Sequence, residues 1–184
     1  MTISVRFAGM GGQGIIFSGI ALARAVSLYD KRGGKDRFAI QTQSYGPEAR
    51  GGSSKCDVKI SENRDFYPFV NVPDYLLLMS QPAYDRFIGI SHKDTVVVLD
   101  EDSVEGRPEL LYYEIPATRE AEGMGKRIVA NVVMLGALVE ISGIASRKSV
   151  LKALADIAPK GTESLNKQAF ELGSSLGKAA IEED

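Results

Sequence analysis

Four glycines fall within six residues at Gly9-Met10-Gly11-Gly12-Gln13-Gly14, after an apolar run, Ile3 to Ala8, and before a long helical pattern, Ile15 to Leu28. Strand, glycine loop and helix in that order make a tight crossover whose helix starts at a strand end. Residues without side chains let backbone N–H groups approach a bound anion, and the first helical turn adds unpaired donors and a partial positive charge. Three readings of the loop are open: an anion or phosphate site, a tight turn with close helix–strand packing, or a subunit contact.

The rest of the chain alternates in the same way. Strand patterns are read at 3–8, 38–43, 54–60, 75–79, 95–99 and 110–115. In 54–60, Cys56, Val58 and Ile60 share one side, as in a half-buried strand. Helix patterns are read at 12–29, 81–90, 117–123, 128–141, 146–157 and 163–181. Strands interleaved with helices predict an α/β fold: an open, mostly parallel sheet flanked by helices, Rossmann-like, with a helical C-terminal third. No linker or repeat divides the chain, so residues 1–184 are expected to form one α/β domain. Ile128 to Ile141 is apolar on all sides and must be buried, within the domain or against a partner.

Residue counts exclude much chemistry. A single cysteine, Cys56, and a single histidine, His92, cannot supply the roughly four ligands of an iron–sulfur cluster or structural zinc. His92 sits in a polar turn, Ile90-Ser91-His92-Lys93-Asp94, and is expected at the surface. A net charge of −2 gives no general basic field for nucleic acid. No apolar run is long enough to span a membrane. The first residues read straight into a strand, and the expected compartment is the cytoplasm.

Gly9, Gly11 and Gly14 also satisfy G-x-G-x-x-G. A nicotinamide site further requires an acid about 20 residues on, at the end of the second strand. Here that strand ends in Gln41-Thr42-Gln43-Ser44-Tyr45, Asp30 precedes it, and Glu48 lies beyond it. The dinucleotide fingerprint is incomplete, which weakens the reading as a stand-alone NAD(P)-binding oxidoreductase. No Gly-Lys-Ser/Thr follows, so it is not a Walker loop, and no Ser/Thr-rich phosphate loop favours a flavodoxin-like carrier. Gln13 is expected to point into the crevice.

A second unusual stretch, Tyr45-Gly46-Pro47-Glu48-Ala49-Arg50-Gly51-Gly52, follows that strand. Glycines at both ends permit unusual backbone angles, and a loop at a strand's carboxyl end belongs at the crevice of an open α/β sheet. Arg50 is suited to holding a carboxylate or phosphate bidentately. The alternative is that Glu48 and Arg50 are solvated or pair locally.

The two motifs together, Gly-x-Gly-Gly-Gln-Gly and Ser44-Tyr45-Gly46-Pro47-Glu48-Ala49-Arg50-Gly51-Gly52, resemble the gamma subunit of 2-oxoacid:ferredoxin oxidoreductases. Ile115-Pro116-Ala117-Thr118, Asn131 to Leu138 and Pro159-Lys160-Gly161 to Phe170 extend the resemblance over nearly the whole chain. Gln41-Thr42-Gln43 is most like the 2-oxoglutarate type. The resemblance implies a complex that oxidatively decarboxylates a 2-oxoacid, joins the acyl group to coenzyme A and reduces ferredoxin. It implies alpha and beta partner subunits, a delta subunit where the complex has one, thiamine diphosphate with Mg2+ between alpha and beta, and iron–sulfur clusters outside gamma. This chain would then bind no cofactor alone and carry no catalytic residue. Its candidate site is Gly9, Gly11, Gly12, Gln13, Gly14, Tyr45, Glu48, Arg50, Gly51 and Gly52, facing coenzyme A or the 2-oxoacid. A purely structural scaffold subunit is the alternative.

Overall fold

The computed structural model describes residues 2–45, 53–64, 66–107 and 112–183. Six strands form one sheet in the order β2-β3-β1-β4-β5-β6. They are β1 (Thr2–Met10), β2 (Phe38–Tyr45), β3 (Ser53–Ser61), β4 (Tyr75–Leu78), β5 (Val96–Asp100) and β6 (Tyr113–Ile115). β1, β4, β5 and β6 are parallel neighbours, and β3 runs antiparallel to both β1 and β2. Five strands therefore point one way. The mostly parallel sheet read from the sequence is present, with one reversed strand near its edge.

The reversed strand changes the Rossmann comparison. In a dinucleotide fold the second strand lies beside the first and brings its terminal acid to the ribose. Here β3 separates β1 from β2, two strand spacings of about 4.8 Å each. The Gln41 to Tyr45 end of β2 is thus displaced from a dinucleotide at the glycine loop as well as lacking the acid.

Helices are α1 (Ile15–Arg24), α2 (Gln81–Phe87), α3 (Ala117–Gly123), α4 (Ala130–Ser142), α5 (Arg147–Ile157) and α6 (Glu163–Glu183). The long pattern after the glycine loop is split: α1 ends at Arg24 and a wider π-type turn covers Ala25–Tyr29. That turn delivers Tyr29 and Asp30 to α5. The Tyr29 hydroxyl donates to Asp156, and Asp30 accepts from the Ser146 N–H at 3.1 Å and pairs with Arg37. Burial pushes the Asp30 carboxyl up, but hydrogen bonds from Ser146 and the Arg37 charge outweigh it and hold it below the usual aspartate range. The acid nearest in sequence to a ribose-binding role is committed to joining α1 to α5.

Strand side chains alternate between two apolar layers. Leu77, Val98 and Ile115 face the layer that includes α1, α4, α5 and α6, while Leu76, Leu78 and Leu99 face that of α2. Cover on both faces explains the unbroken apolar runs of β4 and β5. β3 is buried along one face and in part along the other. Cys56, Val58 and Ile60 face α1, and Asp57 on the other side pairs bidentately with Arg6 at 2.6 and 2.7 Å, both nearly inaccessible. The half-buried strand is thus covered along one face and, at Asp57 and Ser61, on the other, where Lys55 and Lys59 stay partly exposed.

α4 is buried from Ala130 to Val139 within this chain. It lies so close to α6 that a Cβ on Gly173 would stand 1.9 Å from the Val133 carbonyl oxygen, and one on Gly136 2.3 Å from that of Phe170. Glycine is what allows the two backbones to touch. Ile128, expected inside this apolar run, instead lies in the 3-10 turn Arg127–Val129 before α4 and is 60% exposed.

Candidate functional site

The parallel strands deliver their carboxyl ends to one edge. Leaving β1 the chain crosses to β2, and β4 enters on the opposite flank of β1, so the switch of direction falls between β1 and β4. Crevices of open α/β sheets lie at that point. The glycine loop fills one side of it and Met79, held by its N–H to the Ala8 carbonyl at 2.9 Å, the other.

Inside the loop each predicted residue has a definite place. The Gln13 N–H closes the turn onto the Met10 carbonyl at 3.2 Å. Its side chain borders the crevice with both ends of its amide bonded to backbone. Oε1 accepts from the Met10 N–H at 2.6 Å, and Nε2 donates to the Met79 carbonyl at 2.8 Å. The amide ties the two strand ends together, a use that its paired donor and acceptor satisfy and a carboxylate would not.

The glycines divide by cause. A Cβ at Gly9 would meet Gln13 Oε1 at 2.6 Å and Ile15 Cδ1 at 2.7 Å. Gly14 has φ +74° and would press a Cβ to 2.3 Å from Asn131 Nδ2. Gly12 has φ +94° with open space around it. Gly9 thus serves packing, Gly12 the turn and Gly14 both. Gly11 is exposed at the tip.

The loop leads into α1 with Gly14 as N-cap and no side chain capping the helix. The first-turn N–H groups have no intrahelical acceptors. Asn131 secures this end from α4: Nδ2 donates to the Gly14 carbonyl at 3.0 Å, and the Ser18 hydroxyl donates to the Asn131 carbonyl at 3.1 Å.

A cavity of about 190 Å³ opens beside the loop, walled by Gly12, Gln13, Met79, Thr118, Arg127 and Ile128. A second, of about 370 Å³ and mostly apolar, adjoins it across Ile128 and reaches Phe17, Lys126 and Leu165. Thr118 is fixed by the fully buried Asp100, which accepts from its N–H at 3.1 Å and its hydroxyl at 2.5 Å. Asp102 accepts from the next N–H, that of Arg119, at 2.8 Å. Asp100, the last residue of β5, and Asp102, in the turn after it, therefore cap α3. Arg127 pairs with Glu122 at 3.0 Å.

Of the second motif, Tyr45 ends β2, and Glu48, Arg50, Gly51 and Gly52 lie outside the described residues. The strand ends that carry that segment are placed: Tyr45 pairs with Ser54, and Ser53 pairs with Met10. Both motifs therefore spring from the same edge of the sheet. His92 is exposed in its turn, 3.2 Å from Asp94. Asn131, Lys126, Arg127 and the Asp100–Thr118 pair join the site without belonging to either motif. A lone amide in an otherwise apolar helix and an acid ending a buried strand are the signals that mark them in the sequence.

The sequence profile for pyruvate ferredoxin/flavodoxin oxidoreductases matches residues 4–176. The chain belongs to this family. It is a subunit of a 2-oxoacid:ferredoxin oxidoreductase complex. Among its relatives, the 2-oxoglutarate synthase subunit KorC of Methanocaldococcus jannaschii is 46% identical, over 97% of this chain and 95% of that one. KorC of Methanothermobacter thermautotrophicus is 43% identical, over 94% and 93%. The pyruvate synthase subunit PorC of the same organism is 31% identical, over 92% and 93%. The keto/oxoacid ferredoxin oxidoreductase gamma subunit of Geobacter sulfurreducens superposes with a TM-score of 0.84 at 36% identity, over 98% of each chain. A 2-oxoglutarate:ferredoxin oxidoreductase of Magnetococcus marinus, with 2-oxoglutarate, coenzyme A and succinyl-CoA bound, matches with a TM-score of 0.83 at 25% identity, over 97% of this chain and 31% of that one.

Proposed function

We propose that the chain is the gamma subunit of a 2-oxoglutarate:ferredoxin oxidoreductase, and that its glycine loop and Arg50 segment face an active site built by the alpha and beta subunits, where they help hold coenzyme A or the 2-oxoacid. The reaction joins the succinyl group of 2-oxoglutarate to coenzyme A, releases carbon dioxide and passes two electrons singly to ferredoxin. Within one organism, the 2-oxoglutarate subunit is 43% identical and the pyruvate subunit 31%, which favours 2-oxoglutarate as the substrate.

The observation that carries the site is the uncapped N-terminus of α1 behind the exposed Gly11-Gly12 tip, opening on a cavity whose walls include Arg127, with Lys126 on the adjoining one. Backbone donors and lysine or arginine suit phosphate, and the adjoining apolar cavity suits an uncharged arm such as pantetheine.

The described residues do not suit the complex's other groups. Among the described residues no three His, Cys, Asp or Glu side chains converge as a metal site requires. Cys56 is sealed under Gly19, and burial pushes its thiol up to about 11, so it is a poor thiolate ligand. Thiamine diphosphate with Mg2+ and the iron–sulfur clusters are assigned to the partner subunits, with ferredoxin engaged through the complex.

Arg50→Ala in the assembled complex tests the reading. Losing a charge-assisted hydrogen bond of about 1.5–3 kcal/mol raises the KM for coenzyme A or 2-oxoglutarate by roughly 10- to 100-fold, with assembly intact. Unchanged kinetics in an intact complex refutes it. A scaffold role is the second reading, favoured by the packing roles of Gly9 and Gly14 and the bracing role of Gln13. It predicts loop variants that alter assembly and leave KM unmoved.

A further inference from the structure

The apolar cavity of about 370 Å³ lies where three helices begin. α4 and α6 run parallel, with Val133 against Gly173 and Ala137 against Gly177, so their N-terminal ends meet there beside that of α1 at Gly14. Phe17, Ile128, Pro159 and Leu165 give it apolar walls. Among the described residues that line it, the exposed Lys126 is the one that carries charge.

Two buried asparagines line it as well: Asn131, 4% exposed, and Asn166, 5%. A backbone carbonyl fixes the sense of each amide. Asn131 Nδ2 donates to the Gly14 carbonyl at 3.0 Å, and Asn166 Nδ2 donates to the Thr162 carbonyl at 2.9 Å and to its hydroxyl at 3.0 Å. Each Oδ1 is therefore turned away from those partners. Among the described residues no donor reaches either oxygen, and neither is sealed in the packing, so both open on the cavity. The Thr162 hydroxyl, by contrast, is used, accepting from Asn166 and donating to the Pro159 carbonyl at 2.8 Å. An amide oxygen in apolar surroundings costs free energy until a donor meets it.

The wall thus offers two acceptors, with the partial positive charge of three helix starts behind them. An anion satisfies the helix starts and not the oxygens, and an ammonium group the reverse. A neutral group with a donor next to an acceptor, on an apolar body, satisfies both. A carboxamide is one such group, and the amino edge of a purine is another. Coenzyme A carries the first in its pantetheine arm and the second in its base.

We propose that Asn131 and Asn166 are specificity-determining residues of this cavity, accepting hydrogen bonds from the N–H groups of an uncharged amide or amino portion of coenzyme A. That the ligand is coenzyme A rests on the proposed function. Because Nδ2 of Asn131 holds the Gly14 carbonyl, a ligand bonded to its Oδ1 braces the glycine loop through the same amide.

Asn166→Leu in the assembled complex tests it. The substitution keeps the branch at Cγ and removes the acceptor, and the Thr162 carbonyl retains the backbone N–H of residue 166 at 2.9 Å. Losing one neutral hydrogen bond raises the KM for coenzyme A roughly 3- to 10-fold. S-methylpantetheine and adenosine, neither able to accept an acyl group at sulfur, are then competed against coenzyme A in both complexes. Inhibition weakened for one of them alone supports the proposal and names the portion that Asn166 reads. Inhibition weakened for both alike is lost packing and overturns it, as does an unchanged KM or a wild type that neither fragment inhibits. Selective weakening together with an unmoved KM in Arg50→Ala supports the cavity and refutes the loop reading. A raised KM in Arg50→Ala with no selective weakening overturns the cavity alone.

Discussion

Replacing Gly14 by alanine separates the two jobs this glycine does. The first is conformational: at φ +74° an alanine costs roughly 1–2 kcal/mol of backbone energy. The second is steric. The new Cβ stands 2.3 Å from Asn131 Nδ2, where ordinary contact begins near 3.4 Å, a shortfall of 3.4 − 2.3 = 1.1 Å. Asn131 is 4% exposed and cannot swing into solvent, so it gives up its hydrogen bond to the Gly14 carbonyl. A buried amide left unpaired adds about 1–3 kcal/mol, for a total of about 2–5 kcal/mol. Gly12→Ala is the reference. Its φ of +94° incurs the backbone term, and nothing within 4 Å incurs the second. Urea unfolding of the full chain reads the difference: Gly14→Ala falls below Gly12→Ala by about 1–3 kcal/mol with the same m-value. The double variant Gly14→Ala/Asn131→Ala loses less than the sum of its parts by about 1 kcal/mol or more, because the clash needs both side chains. Equal losses for the two glycine variants, or additivity within roughly 0.5 kcal/mol, would refute the assignment of Asn131 as the partner that shapes the loop.

Gly173→Ala forces α4 and α6 apart and costs about 1–3 kcal/mol or more despite alanine's better helix propensity, whereas Gly123→Ala, with open space around its Cβ, gains up to about 1 kcal/mol; thermal unfolding ranks the two on opposite sides of the wild type. Cys56 yields a pH dependence. Its thiol is raised from 9.0 unfolded to about 11 folded, so between those values the unfolded chain has lost a proton that the native chain retains. Stability is full below pH 9 and falls as pH rises toward 11, by about 1.4 kcal/mol per unit. Cys56→Ala removes this component, and the difference between the two stability profiles measured from pH 8 to 11 isolates it; parallel profiles would contradict the burial argument.

The order of strands and helices is legible in the sequence because each element carries its own period: Leu76-Leu77-Leu78 reads as a strand covered on both faces, and α5 as an amphipathic helix. Sheet order is not legible. The two β-patterns at 38–43 and 54–60 carry no mark that places β3 between β1 and β2, because strand order is set by long-range pairing such as Met10 with Ser53. The same limit applies at the site. Gly12's positive φ follows from local turn chemistry and is expected of a glycine loop. The roles of Gly14 and Gln13 depend on Asn131, 117 residues away, and on Met79, 66 away. Ile128 departs from expectation for the opposite reason. Its composition matches the buried helix beside it, but α4 begins at Ala130, and the turn before it leaves the isoleucine outside.

These assignments narrow what the glycine loop can do for a ligand. Gly9 and Gly14 are consumed by packing, and both functional ends of the Gln13 amide are bonded to backbone. What faces outward is the Gly11-Gly12 backbone, the first turn of α1 and the Lys126-Arg127 pair, of which Arg127 already neutralises Glu122. A helix N-terminus contributes about half a unit of positive charge. That is too little on its own to offset a ligand bearing a phosphate and a diphosphate, so tight capture of coenzyme A calls for further cations. Under the proposed function Arg50, in the segment carried by the β2 and β3 ends beside Met10, supplies one such cation and the partner subunits the remainder. On that reading the loop is one wall of a site, braced from within by Gln13 and Asn131 and dependent on its neighbours for charge.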